Sequence, residues 1–206
     1  MKDEWYGDKG DLVKWGILIR LAEKHEVQTI LQVAYYRSSP CPSVKIDDCD
    51  YLVPAEVISH FRNIKNAEAM DRRIVIMDEP YGGNRKEYLR RVLERIKNLP
   101  NEPAIVFLDP DTGLEPKGKA RLEHVLDSEL REIWHALRHR DVLVFYQHQT
   151  NRAGRPWIED KREQFERAIC IEPGSAKLAQ GMKLAHDVAF FFIQRPGSSE
   201  TIKVGR

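Results

Sequence analysis

Hydrophobic and polar positions along this chain follow a helical period and a strand period in turn. Residues 11–25 (DLVKWGILIRLAEKH) are apolar at 12, 13, 15, 17, 18, 19, 21 and 22 and close on a basic turn. That spacing predicts a mostly buried helix. Residues 27–37 (VQTILQVAYYR) form a continuous run of β-formers and read as a strand. The character then changes. Residues 38–54 hold three prolines together with Ser and Asp, which predicts a long irregular loop. A short helix over 55–66 follows, then a buried strand in RRIVIMDEPYGG that stops at Pro80, Gly82 and Gly83. The segment 84–99 is apolar at 88, 89, 92, 93 and 96, an amphipathic helix.

The second half repeats the alternation. AIVFL (104–108) is a strand that ends abruptly in DPDTG; 120–139 reads as helix, DVLVFYQHQT as strand, 157–169 as helix and AHDVAFFFIQRP as a final strand. Residues 197–206 read as a tail. This order predicts a single α/β domain over 1–206: a three-layer αβα Rossmann-like domain with a mainly parallel sheet. In such sheets ligands bind beyond the carboxyl ends of the strands. MDEPYGG, LDPDTG and YQHQTNRAGR all follow an apolar strand and turn polar at once.

Composition adds limits. With 206 residues the chain holds one sizeable domain. Its 33 Lys and Arg against 32 Asp and Glu leave a net charge of +1, so nucleic acid would be met by a local basic face, not a global field. No apolar run approaches the roughly 20 residues that span a bilayer, and MKDEWYGDKG has no apolar signal core. A cytoplasmic location and no membrane partner are expected; the oligomeric state is left open. Cys41, Cys49 and Cys170 lack metal spacing and are expected to be reduced thiols, some of them buried.

The candidate chemistry gathers at four places. The strand 104–108 delivers Asp109 to the sheet's rim, with Asp111 and Glu115 just beyond. These carboxylates suit a substrate amine, a hydroxyl or a magnesium ion, while Asx turns are the structural alternative. Pro110, Asp111, Glu115 and Lys117 spell a nuclease-like P-D and E-x-K, but only three residues separate Asp111 from Glu115 and no pair of strands fits between. In the second place, Tyr146 and His148 share one side of a strand, with Gln147 on the other. His148 is a candidate base, and Arg152 and Arg155 are candidate phosphate contacts. In the third, Asp8 and Asp11 flank the first helix, where carboxylates cap amides. Lys14 sits one turn in among apolar neighbours, as a lysine does that snorkels or meets an anion in a cleft. The fourth is the glycine turn after Asp78 and Glu79, whose spacing matches no phosphate loop.

These segments resemble a known family. GDKGDLVKWGILIRLAEKH followed by TILQVAYYR looks like the first helix and strand of the small adenine-N6 methyltransferases that act on ribosomal RNA. IVFLDPDTG stands where that family carries Asp-Pro-Pro-Tyr. Asp109 and Pro110 match, Asp111 replaces the second proline and Thr112 the aromatic residue. The chain is more similar still to uncharacterised bacterial proteins with Gly-Asp-x-x-Asp-Leu-x-Lys, Asp-Pro-Asp-x-Gly-Leu-Glu and Tyr-Gln-His motifs. The resemblance implies a methyltransferase-like strand order and S-adenosylmethionine near Lys14, Asp8 and Asp11. It also implies an adenine amino group of a nucleic acid oriented by Asp109. One departure is plain: the first strand leads into VAYYRSSPCP, with no glycine, so the cofactor loop is atypical. Two alternatives stand beside this expectation. One is a magnesium-dependent phosphodiester hydrolase, with Asp109, Asp111 and Glu115 as metal ligands and His148 as base. The other is a non-catalytic binding module on the same fold.

Overall fold

A computed structural model describes residue 7 and residues 9–149, 156–181 and 183–197. The first helix, α1 (Lys9–Lys24), buries Val13, Lys14, Trp15, Leu18, Leu21 and Ala22. Glu26 stops it in a left-handed conformation (φ 54°), and the Val27 N–H returns to the Ala22 carbonyl at 2.8 Å. β1 (Thr29–Val33) is buried along its whole length.

The next segment differs from its expectation. Residues 38–54 contain a hairpin, β2 (Ser43–Ile46) and β3 (Cys49–Leu52). Asp47 and Asp48 close it with φ 48° and 61°, the two left-handed residues of a type I′ turn. α2 (Ala55–Arg62) and a 3-10 helix (Ile64–Ala69) lead to β4 (Ile74–Met77). α3 (Arg85–Lys97) starts under an Asn84 cap, whose side chain accepts from the Glu87 N–H.

β5 (Ala104–Leu108) comes next, then two short strands, β6 (Gly113–Leu114) and β7 (His124–Val125). α4 (Asp127–Ala136) starts later than the helical pattern from 120 predicts. The cause is local: a turn at 121–124 leads into β7, which pairs with β6, so the chain just before 127 is held out of a helix. β8 (Val142–His148), α5 (Ile158–Ala168), β9 (Lys177–Ala179) and β10 (Val188–Gln194) complete the chain. β9 was not expected.

Six strands form one mixed, mostly parallel sheet in the order β4-β1-β5-β8-β10-β9. β1 runs parallel to β4 and β5, β5 parallel to β8, and β10 antiparallel to both of its neighbours. Side chains alternate across it. Leu31, Val33, Val106, Leu108, Leu143 and Phe145 face one way and pack with α3, α4 and α5. Ile30, Ile105, Phe107, Val142, Val144 and Tyr146 face the other way, toward α1 and the 3-10 helix. From β1 the chain winds outward to β4 and then crosses back to β5. The winding therefore reverses at the β1–β5 boundary, and the crevice of an open α/β sheet forms at such a reversal. Among the described residues no helix is long and apolar enough to cross a membrane. The three cysteines are free and all exposed, so none is the buried thiol expected.

Candidate functional site

Strand parity builds the site. Residues 105 and 107 face α1, so Asp109, two further on, leaves the strand on that side. Gln32 follows Ile30 in the same way, and His148 follows Val144 and Tyr146. α1 lies over this face and brings Lys14 down onto the strand ends.

The result is a buried charged cluster at the reversal of the sheet. The Lys14 ammonium lies 2.6 Å from Asp11 Oδ1 and 2.9 Å from Asp109 Oδ2. Gln32 Nε2 donates to the same Asp109 Oδ2 at 2.5 Å. Asp109 is 1% exposed, Gln32 2% and Lys14 4%. Burial pulls the Lys14 pKa down, but the charges of Asp109 and Asp11 outweigh it and hold the ammonium above its ordinary range. Lys14 thus meets its anions inside the protein and does not snorkel to water. Asp11 also reaches back along the helix start, its Oδ2 accepting from the Gly7 N–H at 2.7 Å. The Asp109 N–H donates to the Val33 carbonyl at 3.0 Å, which keeps the ends of β1 and β5 side by side.

A cleft of about 460 Å³ opens above this cluster. Lys9, Asp11, Lys14, Asp109, Asp111, Tyr146, His148 and Asp187 are among its lining residues. Tyr146 Oη and His148 Nε2 share a hydrogen bond of 3.0 Å, and the Lys14 ammonium sits 5.3 Å from the Tyr146 ring centre. Asp187 Oδ2 lies 3.9 Å from His148 Nδ1.

Gln147, on the opposite side of β8, sets the height of the DPDTG loop. Fully buried, it accepts from the Leu114 N–H at 2.9 Å and donates to the Thr112 carbonyl at 3.0 Å. Gly113 takes φ 124°, and a Cβ there would run into the Gln147 amide. Glycine is therefore required by both backbone and neighbour.

The structure brings Asp11, Lys14, Asp109, Asp111, Tyr146 and His148 to one cleft. Asp111 is ion-paired with Arg37, at the rim. Glu115 is elsewhere. Its Oε1 accepts from the Asp127 N–H at 2.8 Å, so the carboxylate serves the start of α4. Among the described residues no group of three His, Cys, Asp or Glu is arranged to hold a metal ion. Asp8, Arg152 and Arg155 lie outside the described residues. Sequence reasoning missed Gln32, Arg37 and Asp187 as members of the site. The signal for Gln32 was present: it is the lone amide inside TILQV, in step with Ile30. No family model matches the chain, and no curated protein or solved structure matches it.

Proposed function

We propose that the chain is a nucleic-acid-directed enzyme of methyltransferase-like ancestry, with an adenine amino group as its target. The observation that carries this reading is Asp109. It ends a central strand at the reversal of the sheet, out of water, with one oxygen engaged by both Lys14 and Gln32. A carboxylate held in that way is oriented before substrate arrives, and such preorganisation is what a hydrogen-bond acceptor for an amine needs. The strand order adds support. A parallel set reverses at β1–β5 and ends in an antiparallel strand inserted before the last edge.

The fit of S-adenosylmethionine turns on the loop after β1, where tyrosines stand instead of glycine. Tyr35 takes a left-handed conformation (φ 46°), the one glycine usually supplies. Its ring turns to the α3 side, edge-on to Tyr81 at 5.3 Å, and its N–H donates to the Tyr88 hydroxyl. On the α1 side the loop presents Ala34, with Tyr36 partly buried against the same cluster. The left-handed Tyr35 supports the fit where the sequence lacks glycine, and Tyr36 is the departure from it on the α1 side. Of the residues that line the cleft, Asp11 would hold the cofactor. When bound, S-adenosylmethionine supplies an electrophilic methyl group. Asp109 accepts a hydrogen bond from the target amine and aligns its lone pair. Lys14 is committed to Asp11 and Asp109, so in this reading it positions Asp109. The Tyr146–His148 pair borders the cleft and receives the proton that the amine gives up.

Calorimetry with S-adenosylmethionine tests the reading. Saturable binding in the range of about 1 µM to 1 mM, retained in Asp109→Asn while methyl transfer is lost, is expected. Absence of binding to the wild-type protein contradicts it.

A further inference from the structure

A second cavity, of about 470 Å³, lies at the other end of the sheet. It is framed by the end of α1, the turn before β8 and the residues after β10. Because β10 runs antiparallel, its carboxyl end meets the amino ends of the parallel strands. Roughly 15 Å of sheet therefore separates this cavity from the Asp109 cleft.

Its chemistry is one-sided. Lys24, Arg140 and Arg195 are permanent cations, His25 and His139 add imidazoles, and Glu26 is the one carboxylate among the described lining residues. Three cations against one acid leave an excess of two positive charges. Glu26 does little to offset them: its side chain is 82% exposed and stands 3.7 Å from Arg140. The helix dipole explains the Lys24 charge, and Arg195 donates to the Trp134 carbonyl and lies over the Trp134 ring at 5.0 Å; neither contact neutralises the charge. A second observation points the same way. The His25 ring is hydrogen-bonded to Gln194 and stands edge-on to Phe192 at 6.3 Å, yet its Nε2 is buried without a hydrogen-bond partner. An orphaned buried nitrogen in a polar cavity calls for a ligand or ordered water.

We propose that this cavity binds a phosphate group. A phosphate dianion matches the excess charge, and its oxygens accept from several directions, as donors arriving from three segments require. The phosphate is either free or part of a nucleic-acid backbone, and the experiment separates the two. Inorganic phosphate is titrated calorimetrically into the full chain at constant ionic strength. In parallel, a labelled single strand of about 12 nucleotides without terminal phosphate is titrated by fluorescence anisotropy. Both are repeated with Arg140→Gly and with Lys24→Ala/Arg140→Gly. Arg140 already has φ 69°, so glycine keeps the backbone, and unchanged thermal unfolding checks this.

Saturable phosphate binding, weakened about tenfold by each lost charge-assisted contact, supports a free phosphate ligand. If only the strand binds, and the double variant lowers the slope of log K against log salt by about two, the phosphate belongs to nucleic acid. The proposal is overturned if neither probe binds, or if the double variant binds both as the wild type does. No outcome depends on S-adenosylmethionine, so this test stands or falls apart from the catalytic reading.

Discussion

Lys14 holds two carboxylates where water scarcely reaches, and it is the residue whose loss should be felt most. Removing one partner of a buried ionic cluster leaves uncompensated charge, at a cost of about 3–5 kcal/mol. Lys14→Ala is therefore expected to lower stability by that amount in urea denaturation; a loss below about 1 kcal/mol would place the cluster in solvent. The pH dependence follows from the sign. The folded pKa lies above the ordinary 10.5, so this contribution is complete below about pH 10.5 and fades only as pH rises through the folded value. Gly113→Ala should cost about 1–3 kcal/mol from its backbone conformation alone, and more from the clash with Gln147. Much of the clash should be recovered in Gly113→Ala/Gln147→Gly, a coupling that a double-mutant cycle reads directly. At this scale much of the site was legible. Asp109 is marked by the abrupt end of an apolar strand, and Lys14 by its apolar neighbours. Glu115 misled because a carboxylate in a loop looks the same whether it faces a cleft or the amides of the next helix.

The elements divide into those that the sheet requires and one pair that it does not. The hairpin β2–β3 has no buried residue, and an isolated two-stranded hairpin is marginally stable. Its amides should exchange with solvent far faster than those of β1 and β5, measured by hydrogen exchange. Equal protection would mean that the hairpin packs on the domain. At the entry to β4, Asp71 binds the Arg73 backbone and guanidinium. The Arg73 side-chain bond, first, holds the Asp71 carboxyl down at about 2, against an ordinary 3.8. This stabilisation is present above about pH 3.8 and lost as pH falls through about 2, and Asp71→Asn should flatten the acid limb of a stability–pH curve there. The long helices and buried strands were readable from periodicity because burial sets their period. The hairpin was hidden by prolines and by an Asp-Asp turn in place of the usual Asn-Gly. β6, β7 and β9 have two or three residues each, too few for a period, and are set by backbone partners distant in sequence.

Taken whole, the molecule presents an acid-centred cleft at one end of its sheet and a cation-lined cavity at the other. The near-neutral net charge conceals this separation, since a sum carries no position. The strand order and the crevice at its reversal place Asp109 where an α/β sheet meets its ligand, and the account of function rests on what that carboxylate does. The most direct measurement is nucleoside analysis of RNA and DNA incubated with the protein and S-adenosylmethionine carrying an isotopically labelled methyl group. The account predicts label on the N6 nitrogen of adenine, reduced about a hundredfold or more in Asp109→Asn. Label on another atom, label undiminished in that variant, or no label with a protein that binds neither cofactor nor nucleic acid would contradict it.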